Sequence, residues 1–250
     1  MFTVKDRNFL FDFVMQLAKD DGRVVSGALV GSLALDGGDK WSDLDLTFSV
    51  EDGFSIFDVL NDWTTVFLNK LNAAHLFDVQ RGPTNYRVFL LPSCLQCDLS
   101  FTPKSQFGPA GTKFKLLFGE YVKKPFPLPP SAVELFGYAV HHVLRARFCI
   151  ERERYWQAEF WISSIRDYVL HLACLRRGLP ADHGRGFDNL PSDVLGLFND
   201  SLISSLNRDE LMCALTCVVN GLLNELEGVE PLANKVKPQL NELISEWNRY

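Results

Sequence analysis

A chain of 250 residues that is 47% hydrophobic and 22% charged has the composition of an ordinary globular protein, with room for one large domain or two modest ones. Its formal net charge of −6 disfavours non-specific binding to nucleic acid or to an anionic membrane surface. No stretch approaches the ~18 uncharged apolar residues that a membrane helix needs, so a membrane protein is not expected.

The first residues and the cysteines indicate a cellular compartment. Asp6, Asp12 and Asp20 interrupt any apolar segment near the start, so we predict no export signal and a cytoplasmic location. The six cysteines are then expected to stay reduced. Cys94 and Cys97 have the spacing of half a zinc or redox motif, but no second pair accompanies them. We interpret them as small residues beside a strand.

Up to about residue 101 the apolar pattern alternates between helices and strands. Helical spacing over residues 5–19 is followed by an apolar run over 24–30, which predicts a buried strand, and Gly31 and Ser32 then turn the chain. The remaining predicted elements of this half are a loop at 36–39, a strand at 44–50, a helix at 55–69 and strands at 75–80, 86–91 and 95–101.

The second half has a different character. Residues 125–130 contain four prolines, which cannot continue a helix or a central strand and therefore predict a linker. Helical patterns dominate beyond it, at 131–151, 155–177, 191–206, 209–226 and 237–248. We therefore predict an α+β fold in two domains, a small mixed β-sheet core at 1–124 and an α-helical bundle at 131–250.

The most informative motif is the pair Gly31-Ser32, which is followed after ten residues by Asp43 and then by Asp45. Residues two apart in a strand point to the same face, so the two carboxylates can hold one cation between them. Glycine permits close backbone approach, and a serine at the start of a helix leaves N–H groups that attract phosphate oxygens. The motif predicts metal-dependent chemistry on a nucleotide.

Asp98 supplies a third carboxylate. It interrupts the apolar strand pattern at 95–101, where an unpaired charge is costly and where either a metal ion or an arginine partner would relieve that cost. Mg²⁺ prefers hard oxygen ligands, and two such ions can clamp the attacking and leaving oxygens of a phosphoryl transfer. The sequence contains neither a P-loop nor a Rossmann fingerprint.

The order Gly-Ser, about ten residues, then Asp-apolar-Asp-apolar resembles the signature of the DNA polymerase beta-type nucleotidyltransferase superfamily. Residues 40–48, Lys-Trp-Ser-Asp-Leu-Asp-Leu-Thr-Phe, are especially similar to bacterial aminoglycoside and lincosamide nucleotidyltransferase-like proteins. Two segments of the helical half, 154–159 and 184–188, also look like that group.

This resemblance implies a magnesium-dependent reaction. It assigns metal binding to Asp43, Asp45 and Asp98, with Asp98 completing the site or activating the acceptor, and it places Gly31 and Ser32 against the triphosphate. A nucleoside monophosphate, expected to be AMP from ATP, would pass to a hydroxyl of a small molecule and pyrophosphate would leave. The implied acceptors include aminoglycoside and lincosamide antibiotics, and hence a role in antibiotic resistance.

One departure from the superfamily pattern follows the Gly-Ser pair. Many relatives carry an arginine there, whereas this chain continues with apolar residues at 33–35 and then Asp36. Lys40, Arg87 or Lys113 are candidates to neutralise the phosphate in its place. The missing arginine also leaves open a non-catalytic module of the same fold that binds a nucleotide or a partner.

The helical half offers candidates for the acceptor side. Glu159 and Arg166 lie on one face of the predicted helix at 155–177, where they would either receive the substrate or form ion pairs between helices. Arg166 and His171 also match the Arg, four residues, His pattern of HEPN-type ribonucleases, although the acidic balance of the chain argues against RNA.

Overall fold

The computed structural model describes residues 1–35, 37–126 and 128–245. The chain divides into two compact units, Met1–Leu128 and Pro129–Tyr250. The first contains the sheet and the second is helical, so the predicted α+β class, a small mixed sheet followed by helices, is confirmed. Asp36 of the predicted loop, Pro127 of the predicted linker and the end of the predicted helix at 237–248 lie outside the described residues.

The first unit is built on a mixed sheet that has six strands within the described ranges. The strands are β1 Val24–Val30, β2 Leu44–Val50, β3 Ala74–Arg81, β4 Thr84–Leu90, β5 Gln96–Pro103 and β6 Phe114–Phe118, and the helices are α1 Val4–Asp20 and α2 Ile56–Leu71. The strand order is β3-β4-β5-β2-β1-β6. Strands β2 and β5 pair in parallel, and the other neighbours pair antiparallel.

The two faces of the central strands differ in polarity because side chains alternate along a strand. One face is apolar and packs on α1 and α2, and the buried side chains that it contributes are Leu44, Leu46, Phe48, Cys97, Leu99 and Phe101. Trp63 of α2 completes this core, with its ring centroid 5.0 Å from that of Phe101 and its indole N–H donating to Asp21 at 2.9 Å. The opposite face carries Asp45 and Asp98.

Local sequence signals explain where the long helices begin. Thr3 and Asp6 form a capping box at the start of α1, and Ser131 and Glu134 form another at the start of the first helix of the second unit. Each pair satisfies backbone N–H groups that have no partner within the helix. Asn72 ends α2 in the left-handed conformation that asparagine tolerates.

The second unit contains five α-helices among the residues described. They are α3 Ala132–Glu151, α4 Tyr155–Arg176, α5 Ser192–Gly196, α6 Arg208–Leu222 and α7 Glu230–Ser245. Buried apolar side chains from α3, α4 and α6 meet in one core. No helix of the described chain combines the length and the apolarity that crossing a bilayer requires.

Two sequence predictions about elements were wrong, and one strand was not predicted. The helix predicted at 191–206 is only α5 followed by short turns, because asparagine, aspartate and serine side chains at 199–205 compete for the backbone hydrogen bonds of a helix. The last helix begins at Glu230 instead of 237 and contains Pro238. Strand β6 was not predicted, since its five residues carry no clear alternation and it exists by pairing with β1.

An ion pair between β3 and β4 secures the edge of the sheet. The buried guanidinium of Arg87 donates to both carboxylate oxygens of Asp78, at 2.7 and 2.6 Å, and to Thr64 of α2 at 2.8 Å. These hydrogen bonds from Arg87 hold the pKa of Asp78 below its ordinary value, with a smaller contribution from His75 and an opposing one from partial burial. A two-pronged arginine–carboxylate pair of this kind is among the stronger polar contacts.

We expect Asp78→Asn to lower the free energy of unfolding by about 1 kcal/mol at pH 7. Because the folded-state pKa is depressed, this contribution is present above the unfolded-state pKa of about 3.9 and is lost as the pH falls through the folded-state value. Urea unfolding from pH 7 down to pH 2 measures it, with Asp12→Asn, an exposed carboxylate on α1, as the control. A difference that persists at pH 2 contradicts this assignment.

Candidate active site

The three carboxylates predicted to bind metal lie together on the open face of the sheet. The parallel pairing of β2 with β5 places Asp45 directly beside Asp98, and Asp43 immediately precedes β2. One oxygen from each of the three side chains lies within 4.8 Å of the others, and all three residues are half-buried. Within the described ranges no other three His, Cys, Asp or Glu side chains bring ligand atoms this close.

The electrostatics of this cluster favour a bound cation. Burial raises the pKa of Asp98 above its ordinary value and the neighbouring charge of Asp43 adds to the effect, while a hydrogen bond from the Gln96 amide at 2.9 Å opposes it. Burial above all, with a smaller repulsion from Asp43, therefore makes ionisation of Asp98 costly. Hard carboxylate oxygens in a half-buried group of three are a donor set that fits Mg²⁺.

Cys97 lies beside this cluster in sequence but on the other face of the sheet. Its thiol is fully buried in the apolar core, and burial raises its pKa well above the ordinary value, followed by the charge of Asp98. Cys94 is exposed in the preceding turn. A protonated thiol pointing away from the carboxylates is no metal ligand, which agrees with a packing role for Cys97.

Gly31, the first residue after β1, lies against the same cluster. Its φ of +69° lies in the left-handed region, and a Cβ at this position would overlap the carboxylate of Asp45. Both the backbone conformation and the lack of space therefore require glycine. Ser32 follows in a short 3-10 helix, Gly31–Leu35, so the structure brings the predicted Gly-Ser pair and the predicted carboxylates to one place.

A pocket of about 270 Å³ opens beside the carboxylates on the same face of the sheet. Its lining includes Asp45 and Asp98 together with Phe77, Tyr86 and Arg81. The sequence prediction did not include these last three residues. The alternation Phe77, Val79, Arg81 was visible, but only the pairing of β3 with β4 shows that this side of the strand faces the carboxylates.

The structure also shows where the three cations proposed to replace the missing arginine lie. Arg87 projects to the helix side of the sheet, where it is bound to Asp78 and Thr64, so its prediction as a phosphate ligand was wrong. Lys40 is exposed, with its ammonium 4.8 Å from the ring centroid of Trp41, and Lys113 is exposed before β6. Neither lysine lines the pocket beside the carboxylates.

The predicted acceptor-side residues belong to the second unit. Arg166 of α4 donates to the backbone carbonyl of Ser201 at 2.8 Å and to the hydroxyl of Ser163 at 2.6 Å. Burial raises the pKa of Glu159, although the charge of Arg166 opposes this, and its Oε2 is buried without a hydrogen-bond partner among the described residues.

Arg166 and His171 occupy different surroundings in the second unit. Four residues lie between them, and a step of five positions along a helix places them on different sides of α4. The guanidinium of Arg166 is held by Ser163 and Ser201, whereas His171 lines a hollow with His183 and its pKa is lowered by burial. This arrangement does not favour joint acid–base work by the pair on one RNA phosphate.

No family model matches this chain, and no curated protein matches it. Among solved structures, similarity is found to an aminoglycoside 6-adenyltransferase from Bacillus subtilis, at 13% identity over 94% of this chain and 97% of that one, with a TM-score of 0.37. A nucleotidyltransferase-like protein from Exiguobacterium sibiricum 255-15 matches at 13% identity over 91% and 78%, with a TM-score of 0.40.

A third similar structure is the cyclic dinucleotide synthase CdnE from Elizabethkingia meningoseptica with GTP and Apcpp, at 13% identity over 88% of this chain and 77% of that one, with a TM-score of 0.32. The names of the first two fit the nucleotidyltransferase superfamily that the Gly-Ser and Asp-x-Asp motif resembles. With every TM-score below 0.5, these similarities do not bear on the function of this chain.

We expect Gly31→Ala to destabilise the fold more than an ordinary glycine replacement. Gly82→Ala is the matched control, because Gly82 has a similar φ of +57° but open space where its Cβ would lie. The control should cost about 1 kcal/mol from backbone strain alone, and Gly31→Ala about 1 to 3 kcal/mol more from overlap with Asp45. Equal shifts of the two urea midpoints would disprove the close approach of Gly31 to Asp45.

Proposed function

We propose that this chain is a nucleotidyltransferase that moves a nucleoside monophosphate, AMP from ATP in the simplest case, to a hydroxyl of a small molecule and releases pyrophosphate. The observation that carries the proposal is the meeting of Asp43, Asp45 and Asp98 within 4.8 Å beside the Gly31 turn. The motif resemblance extends the acceptor class to aminoglycoside or lincosamide antibiotics, which would make the protein a resistance factor.

Asp43, Asp45 and Asp98 would hold Mg²⁺. When bound, the ion supplies Lewis-acid stabilisation of the phosphate charge and makes a coordinated hydroxyl more acidic. The half-buried position of the three carboxylates limits their solvation, which strengthens their interaction with a cation. The sheet holds Asp45 and Asp98 through the backbone hydrogen bonds of two paired strands, so the ligands are organised before a substrate arrives.

Gly31 and Ser32 would bind the triphosphate. Glycine at position 31 lets the backbone pass against the Asp45 carboxylate, which would keep the Ser32 hydroxyl, a hydrogen-bond donor, close to the metal ligands. The residues that follow, Leu33, Ala34 and Leu35, supply no positive charge. Neutralisation of the phosphates therefore depends on the cation held by the carboxylates.

Asp98 would receive the proton of the attacking hydroxyl. Its place beside Asp45 in the paired strands would put one carboxylate oxygen next to the bound ion and to a hydroxyl held there. The Gln96 amide fixes one of its oxygens at 2.9 Å and so orients the other. Glu159 and Arg166 of the second unit stay proposals for the acceptor side. Arg166 is already engaged with Ser163 and Ser201, and the Glu159 Oε2 that lacks a hydrogen-bond partner among the described residues is buried.

We expect Asp43→Asn and Asp45→Asn each to lower Mg²⁺-dependent pyrophosphate release at least about 100-fold, because each removes a charged ligand for the ion. Mn²⁺ binding, followed by electron paramagnetic resonance, should weaken in both variants. Asp12→Asn serves as the control that removes one exposed carboxylate of the same unit. Circular dichroism should show that all three variants fold, and wild-type release in either site variant would refute the metal assignment.

The second candidate is a non-catalytic nucleotide-binding module of the same fold. It is favoured by the apolar stretch Leu33–Leu35, where many members of the superfamily that the motif resembles carry an arginine. Calorimetric titration with Mg²⁺ and ATP, followed by mass measurement of products across a broad acceptor panel, separates the two candidates. Binding of ATP without release of pyrophosphate for any acceptor would favour the module.

A further inference from the structure

The open face of the sheet continues past the carboxylates as an ordered apolar surface. Strand pairing aligns side chains into rows that cross the sheet, and Asp45, Asp98, Val88 and Phe77 form one such row. The next row along the strands places Ser100, Tyr86 and Val79 side by side. Carboxylates therefore occupy the middle of the sheet, while aromatic and branched side chains occupy β4 and β3.

This surface is open where it leaves the carboxylates. All eight residues of β3 are exposed, with Phe77 at 52% and Val79 at 37% of full exposure. Phe77 and Val79 line the pocket of about 270 Å³ that Asp45 and Asp98 also line. An exposed aromatic and aliphatic floor continuous with a charged centre is typical of a ligand site.

Arg81 closes the far side of the pocket. Of the described residues that line the pocket, Arg81 alone is cationic, and its guanidinium lies 5.9 Å from the ring centroid of Tyr86. The spacing of strands and residues in a sheet puts its Cα about 16 Å from that of Asp98. Because a long arginine side chain reaches back along the face, a molecule of one or two rings can span the two residues.

The position of the glycine turn indicates which substrate uses this pocket. In the strand order, β1 and the Gly31 turn that follows it lie on one side of the carboxylates, and β4 and β3 lie on the other. A phosphoryl-type transfer places the attacking and leaving oxygens on opposite sides of the phosphorus atom. If the leaving pyrophosphate lies at Gly31 and Ser32, the attacking hydroxyl approaches from Asp98 and β4.

We propose that the acceptor binds on the β3–β4 face with a flat apolar body against Phe77, Val79 and Tyr86, and carries a carboxylate or another anionic group that Arg81 binds. This inference rests on the proposed nucleotidyl transfer but departs from the antibiotic acceptors that the motif resemblance implies: aminoglycosides and lincosamides carry protonated amines, whereas this pocket is proposed to take a hydroxylated, anionic, ring-containing small molecule. Charge complementarity selects this occupant, because the pocket offers one cation at the end distant from the transferred phosphorus.

In the proposed step, the acceptor oxygen forms a bond to the α-phosphorus of the nucleotide. The bond from that phosphorus to the bridging oxygen of the β-phosphate breaks, and pyrophosphate leaves with the electron pair. The hydroxyl proton passes to the Asp98 carboxylate and from there to solvent. No oxidant or reductant is needed. Arg81 touches only the remote anionic group and acts as a specificity residue.

Three matched probes test the charge preference in the absence of nucleotide. They share a hydroxymethyl biphenyl body and differ in one para group: 4′-(hydroxymethyl)biphenyl-4-carboxylate, its neutral carboxamide, and its cationic aminomethyl analogue. Binding to the full chain is measured by ligand-observed NMR titration. We expect the carboxylate to bind about fivefold more tightly than the carboxamide, as one partly exposed charged hydrogen bond allows, and the amine to bind least.

Variants assign that preference to residues. Arg81→Gln should remove the advantage of the carboxylate, Arg81→Lys should restore part of it, and Phe77→Ser should weaken all three probes alike. Lys70→Gln is the control that removes a positive charge from the end of α2, on the other side of the sheet. Tighter binding of the aminomethyl probe, or a carboxylate advantage that survives in Arg81→Gln, would overturn the proposal.

Two further outcomes identify other occupants of the face. Displacement of the carboxylate probe by Mg²⁺-ATP would assign the pocket to the nucleotide. A dimer in light scattering that Phe77→Ser dissociates would assign the β3 edge to a second copy of the chain, because exposed edge strands pair readily. Either result overturns the acceptor site, whereas loss of pyrophosphate release in Asp43→Asn tests the proposed function separately.

Discussion

The parallel pairing of β2 with β5 is the constraint on which the candidate site depends. In this register Leu44 lies beside Cys97, Asp45 beside Asp98, and the alternation continues to the ends of both strands. A shift of β5 by one residue relative to β2 would turn Asp98 towards α1 and α2 and expose Leu99. The apolar core therefore selects the register, and the register brings the two carboxylates together.

The same alternation lets one pair of strands serve two opposed requirements. The helix side contributes fully buried side chains such as Phe48 and Phe101, each of which stabilises the fold by about 1.5 to 3 kcal/mol. The open side concentrates negative charge, which burial and mutual repulsion make unfavourable, as the raised pKa of Asp98 shows. Stability comes from the helix side of the strands, and the open side retains the capacity to bind a cation.

The sheet also gives the site a direction. Gly31 packs against Asp45 from the β1 side, where the Asp45 carboxylate occupies the space that a Cβ would take. On the β4 side the neighbours of Asp98 are apolar and aromatic until Arg81. The Gly31 side is charged and tightly turned, whereas the β4 side is apolar and carries a cation at its far end. The two sides therefore suit different substrates. This asymmetry of the strand order is the physical basis for the proposed separation of the nucleotide from the acceptor.

Much of this protein follows from its sequence. Periodicity marks most helices and the first five strands, because side-chain alternation is a local property, and the spacing of Gly31, Asp43 and Asp45 identifies the candidate site. Asp98 is also visible as a charge in an apolar strand. Tertiary structure alone places Asp98 beside Asp45, sends Arg87 to the helix side, adds β6, and brings Arg81 and Phe77 to the pocket. These features depend on which strands pair and in which register, and distant parts of the chain decide both.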